Sequence, residues 1–124
     1  MYLTLEEYRN SGNNADLSDK ELNALIEKAE DNIDTLTFCR INHIGFENLT
    51  AFQQKLIKKA ICIQTDFLHD YGEILNNPFA SYSINGVSMS FDKSMYMELS
   101  GIKILDSCYS LLIQTGLTYQ GVKQ

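Results

Sequence analysis

Apolar residues recur every three or four positions along most of this chain and every second position in one short stretch, a pattern of helices interrupted by a single β-hairpin. Ser18-Asp19-Lys20-Glu21 has the form of a capping box, and Leu22, Leu25, Ile26, Ala29, Ile33 and Leu36 then mark one apolar face of a helix. Thr50 and Gln53 repeat the device and open the longest pattern, from about Ala51 to about Leu75. Its apolar positions, Phe52, Leu56, Ile57, Ala60, Ile61, Ile63, Phe67, Leu68, Tyr71, Ile74 and Leu75, cover more than one stripe, so this central helix is expected to be buried on two sides. Asn76-Asn77-Pro78 stops it, because proline disfavours helix in the residue before it.

The remaining elements are shorter. Thr4 caps a short helix over residues 4–9, which Ser11 to Asn14 break. Arg40 to Asn48, with Asn42, Gly45 and Asn48, reads as a loop or ragged turn, and Asp92 to Leu99 is ambiguous, with an extended strap as one reading. Ser100 is expected to open a last helix through Gln114, with Ile102, Leu105, Cys108, Tyr109 and Leu112 as its buried stripe and Gly116 as its C-cap. A short tail, 117–124, follows.

The most specific local signal is Ser81-Tyr82-Ser83-Ile84-Asn85-Gly86-Val87-Ser88-Met89-Ser90-Phe91. Asn85 and Gly86 both tolerate the positive φ of a type I′ turn, whose twist matches that of the flanking strands. A two-residue loop pairs Ile84 with Val87, Tyr82 with Met89 and Ala80 with Phe91, leaving serines on the other face. A lone hairpin is marginal in water, so its apolar face must rest on the subunit's own helices or on a neighbour. The expected fold is therefore mainly α: a small helical bundle around a long central helix, with one β-hairpin (about 80–91) inserted before the last helix, in a single domain over 1–124.

Composition narrows the function. The formal charge of -6 argues against a protein that grips nucleic acid through a basic face, since phosphate neutralisation supplies most of such affinity. Between Asp16 and Leu36 stand seven acids (Asp16, Asp19, Glu21, Glu27, Glu30, Asp31, Asp34) against Lys20 and Lys28, which gives a solvated negative face or a wall bordering DNA or a basic partner. The opening residues carry Glu6 and Glu7 and no cationic start before an apolar run, so no secretory signal is expected. No apolar stretch approaches the roughly 18 residues that span a bilayer. A soluble, intracellular protein is expected, in which Cys39, Cys62 and Cys108 are small buried apolar residues rather than a disulfide framework.

No constellation points to catalysis. Cys39 with His43, and Cys62 with His69, lack the further ligands a zinc site needs, and His69-Asp70 lacks the additional histidines of a metal-dependent phosphohydrolase. There is no nucleophile elbow, no phosphate-binding glycine loop and no dinucleotide-type glycine cluster. Lys55, Lys58 and Lys59 form a small basic group on the central helix, either a solvent stripe or a docking contact for an acidic surface. No enzyme activity, metal or cofactor is expected.

The order of short helix, acidic helix, long central helix, serine-flanked Asn85-Gly86 hairpin and last helix, running into Thr115-Gly116-Leu117 with Tyr119 and Gly121, resembles the head-to-tail connector (adaptor) family of long-tailed phages and prophages. The resemblance implies a homo-oligomeric ring beneath the portal protein, at the head-to-tail interface of the virion. A tail-side connector or stopper protein would bind its other side, and DNA would pass through without sequence-specific contacts. It further implies interface roles for Tyr82, Ile84, Asn85, Gly86, Val87, Met89 and Phe91 of the hairpin and for Leu117 and Tyr119 of the tail. The alternative is a small non-enzymatic regulatory module that binds another protein through its acidic helix. Replacing Ile84 and Val87 with serine is expected to impair assembly, read by light scattering, while helical content in circular dichroism is retained; global unfolding would place the hairpin in the core instead.

Overall fold

The computed structural model describes residues 2–11, 17–76, 96–99 and 101–118. These residues form helices α1 (Leu5–Ser11), α2 (Asp19–Leu36), α3 (Arg40–Ile44), a 3-10 turn (Phe46–Asn48), α4 (Ala51–Asn76), strands β1 (Tyr96–Leu99) and β2 (Ile102–Leu105), and α5 (Asp106–Thr115). The chain is mainly helical, built around the long α4, with a two-stranded antiparallel hairpin before the last helix. That hairpin spans 96–105; the one expected at about 80–91 lies outside the described residues.

Three helices begin with the same reciprocal cap. Glu7 N–H donates to Thr4 Oγ1 at 3.1 Å while Thr4 N–H donates to Glu7 Oε1 at 3.0 Å. Ser18 and Glu21 do the same for α2, and Thr50 and Gln53 for α4. Each box satisfies two backbone donors that a helix start would otherwise leave unpaired, a contribution of about 1 kcal/mol per cap.

Helix α4 is covered by α2 on one side and by α5 and β2 on the other. Leu22, Ile26 and Ile33 of α2, Ile57 and Ile61 of α4, Ile104 of β2 and Leu112 of α5 are fully buried in one cluster. Each such side chain stabilises the fold by roughly 1.5–3 kcal/mol relative to exposure. Small residues let α4 and α5 approach closely where Cys108 meets Ala60, and the Cys108 thiol donates to the Ala60 carbonyl at 3.1 Å. Burial pushes that thiol up to about 12, so it remains a protonated donor. Gln64, also fully buried, ties α2 to β2 by donating to Asn32 Oδ1 at 2.9 Å and to the Lys103 carbonyl at 3.1 Å.

Two expectations are corrected. The last helix starts at Asp106, not Ser100, because Ile102–Leu105 is a strand, β2, which follows Gly101 at φ +80. The following Ile102-Lys103-Ile104-Leu105 pairs with β1, setting Lys103 opposite Glu98 as a cross-strand ion pair. The helical spacing of Ile102 and Leu105 with Cys108 was coincidental. Arg40 to Asn48 is not a loop but α3 followed by the 3-10 turn, held by the complete burial of Ile41.

The segment before α1 is fastened by a buried acid. Glu30, 8% exposed, accepts the backbone N–H groups of Tyr2 at 2.7 Å and Leu3 at 3.0 Å on the same carboxylate oxygen. The Tyr2 ring stacks on Phe46 at 5.2 Å, and its hydroxyl lies 3.0 Å from Asp34 Oδ1 and 2.8 Å from Asn42 Oδ1. Burial and then the Asp34 hydrogen bond push the Tyr2 hydroxyl well above its usual value, so it stays a donor. Glu30→Ala would leave two backbone donors unpaired and is expected to cost about 2 kcal/mol. Glu27→Ala, on the exposed face of the same helix, should stay within about 0.5 kcal/mol of the wild type; urea unfolding of both variants makes the comparison.

Candidate functional site

No group of three or more His, Cys, Asp or Glu residues among the described residues is arranged to hold a metal. Cys39, expected to be buried, is exposed and precedes α3; it meets His43 only through the helical bond from His43 N–H to the Cys39 carbonyl, 3.0 Å. The His69 ring lies against Asp70 at 3.1 Å on the exposed side of α4. Burial, with Asp66 adding to it, pushes the Cys62 thiol up to about 11, away from the thiolate that nucleophilic chemistry requires.

A groove of about 790 Å³ runs between α1 and α4, lined by Leu3, Glu7, Lys55, Lys58, Lys59, Cys62 and Asp66 among others. Its charges are largely used within the chain. Lys58 pairs with Glu7, whose carboxyl is held below the usual carboxylate range first by that hydrogen bond and next by the Thr4 backbone. The Tyr8 hydroxyl donates to Asp66. Lys55 and Lys59 remain exposed, which leaves the groove able to meet an acidic surface.

The more distinctive surface is one end of the bundle. Helix α2 terminates in a Schellman arrangement, with Cys39 N–H donating to the Asp34 carbonyl at 2.7 Å and Phe38 N–H to the Thr35 carbonyl at 3.1 Å. The position that glycine usually occupies is filled by Phe38 at φ 58, followed by Cys39 at φ 59. Left-handed backbone costs a non-glycine residue about 1–2 kcal/mol, so two in succession hold a large apolar side chain outward at a strained corner. Phe38 is 45% exposed, Ile44 42%, Phe52 59% and Ile113 55%.

These four residues sit where the end of α2, α3, the start of α4 and the end of α5 converge. The Arg40 guanidinium lies 5.1 Å from the centre of the Phe38 ring and donates to the Leu117 carbonyl at 2.9 Å. Gln53 Nε2 donates to the Thr115 carbonyl at 3.0 Å, beside Phe52, and Gly116 N–H donates to the Ile113 carbonyl at 3.0 Å. Gln54 Nε2 reaches the carbonyls of Phe46 and Leu49, anchoring the segment that follows Ile44. Among the residues whose burial is described, the exposed large hydrophobic side chains are Phe38, Ile44, Phe52 and Ile113.

No family model, curated protein or solved structure matches the chain. Function has to be read from its surfaces.

Of the residues expected at an interface, Leu117 is 6% exposed and packs in the core, its N–H donating to Thr115 Oγ1 at 3.1 Å. Tyr82, Ile84, Asn85, Gly86, Val87, Met89, Phe91 and Tyr119 lie outside the described residues. Sequence reasoning assigned Phe38 to no element, left Ile44 in a loop and took Phe52 for core. Ile113 carried a signal, because it falls off the stripe of Cys108 and Leu112. The negative face of α2 is also thinner than expected: Glu30 points inward and Asp34 meets Tyr2, leaving Asp19, Glu21, Glu27 and Asp31 exposed. No helix among the described residues is long and apolar enough to cross a membrane.

Cys39→Gly should relieve about 1–2 kcal/mol of left-handed strain against about 0.5–1 kcal/mol of added chain entropy, a net stabilisation of about 0.5–1 kcal/mol. Urea unfolding is expected to show a higher midpoint at unchanged slope.

Proposed function

We propose that this protein is a structural virion-assembly subunit, a head-to-tail connector whose copies form a ring joining the portal to the tail-side connector or stopper around the DNA channel. The observation that carries an assembly role is that Phe38, Ile44, Phe52 and Ile113 are 42–59% exposed on elements that Arg40 and Gln53 tie to the end of α5, apolar side chains that a partner would cover. The order of the described helices supports the connector class, as does Thr115-Gly116-Leu117, which forms a tight left-handed turn fastened to α3 through Arg40. A formal charge of -6 suits a passage along which DNA moves without sticking. The regulatory alternative has four exposed acids on α2 in its favour, but Glu30 and Asp34, which it would also use, are engaged within the subunit.

The test is size-exclusion chromatography with light scattering, using the purified protein and a portal ring from the same phage or prophage genome. Several copies co-eluting with each portal ring are expected. A protein that leaves the portal unchanged at every concentration overturns the connector assignment.

A further inference from the structure

We infer that the groove between α1 and α4 is a docking site for an acidic amphipathic helix of another protein, whose carboxylates meet Lys55 and Lys59. This site stands apart from the ring proposed above, and either can fail without the other.

The groove follows a third face of α4. Helix α2 packs on one side of α4 and α5 with β2 on another. Ala51, Lys55, Lys58, Cys62 and Asp66, which line the groove, recur at intervals of three and four residues and so form a single stripe. From Ala51 to Asp66 that stripe runs about 22 Å at about 1.5 Å per residue, roughly four turns of a helix laid beside it. Helix α1, with seven residues and a length of about 10 Å, is too short to span it.

The lining states the chemistry of the occupant. Leu3 and Cys62 are buried and Ile63 is half-buried, which gives the groove an apolar floor. Its two acids are already bonded, Glu7 to Lys58 and Asp66 to the Tyr8 hydroxyl. Lys55 and Lys59 are exposed and make no ion pair among the described residues, so the open charge at the rim is positive in a chain of formal charge -6. One acidic helix already lies on this face: α1 buries Tyr8 and brings Glu7 to Lys58. A second helix continues the same arrangement along the open part of the stripe. Lys55 and Lys59 stand one helical turn apart, which calls for two carboxylates at that spacing beside an apolar stripe that fills the floor. Two unpaired lysines on a net-negative chain do not make the continuous basic track that a phosphate backbone needs.

The probe is a fluorescein-labelled synthetic helix of about 15 residues, matched to the stripe, with leucine and alanine on one face and glutamates one turn apart along its edge. Its control carries lysines at the glutamate positions. Anisotropy titrations use the full-length protein in three forms: wild type, a groove variant (Lys55→Glu with Lys59→Glu) and an α2 variant (Lys20→Glu with Lys28→Glu), which makes the same change in net charge elsewhere. Wild type and the α2 variant are expected to bind the glutamate peptide saturably, in the micromolar range. The groove variant should bind it at least about tenfold more weakly, because reversal sets like charges against each other. The decisive arm is the swap: the groove variant should bind the lysine peptide at least about tenfold more tightly than wild type does. All four lysines are exposed, so each variant should keep wild-type helical circular dichroism. Should the double reversal unfold, Lys55→Gln with Lys59→Gln supplies the loss without repulsion.

A wild type that binds neither peptide overturns the inference, and so does a groove variant that binds the glutamate peptide as wild type does. Equal losses in the groove and α2 variants would reduce the effect to overall charge and overturn it as well. Displacement of the bound peptide by duplex DNA would make the lysines a phosphate contact instead. Self-association of wild type in light scattering, abolished in the groove variant, would make the occupant a second copy of this chain and likewise remove the separate partner.

Discussion

Helix α4 has to bury two faces at once, and the rest of the described fold answers that demand. Ile57, Ala60 and Ile61 are withdrawn from water together with Gln64 and Thr65, a wider arc than one neighbouring helix can cover. Helix α2 takes one side, while α5 and β2 share the other. The polar members of the arc are largely bonded: Thr65 Oγ1 donates to the Ile61 carbonyl at 2.7 Å, and Gln64 Nε2 bridges Asn32 and Lys103, while the buried Gln64 Oε1 has no hydrogen-bond partner among the described residues. The Gln64 amide also fixes the height of β2 against α4, since its two donors reach opposite neighbours at once. A purely apolar side chain there would let the strand slide.

The acidity of α2 serves two ends, only one of which faces solvent. A carboxylate in the interior is costly unless several donors meet it, and Glu30 meets two backbone N–H groups from a segment with no helix of its own to satisfy them. The same helix then orients the Tyr2 ring through Asp34, where burial raises the carboxyl, with Asp31 pushing the same way and the Tyr2 hydroxyl opposing. What a charge count presents as a continuous negative wall is divided between a structural clamp and a thinner solvated face.

What the sequence reveals of this molecule follows the range of the interactions. The caps at Ser18 and Thr50 and the long double-striped helix were legible because each is written within a few neighbouring residues. The cap of α1 was legible in part, as Thr4 without its partner Glu7. The end of α2 was not, because Phe38 occupies a position for which glycine is the usual sign, and only packing of Ile41 with the bonds to Asp34 and Thr35 holds it there. The 96–105 hairpin was obscured by a coincidence of spacing, though Ser100-Gly101 between Glu98 and Lys103 carried the turn and the charge pair in plain view. The exposed end was the least legible of all. Whether Phe52 or Ile113 meets water depends on how far each neighbouring helix extends, which no local pattern encodes.

Strain and exposure coincide at that end, and the coincidence bears on why the chain keeps it. Two left-handed non-glycine residues and four large apolar side chains in water each lower the stability of the isolated subunit. Glycine at position 38 or 39 would ease the first, and polar residues would remove the second without touching the core. A monomer selected for stability alone has no reason to retain either. If a partner covered these side chains, the apolar area would leave water, and the left-handed corner, though its strain would persist, would present the Phe38 ring in advance and reduce the ordering that binding demands.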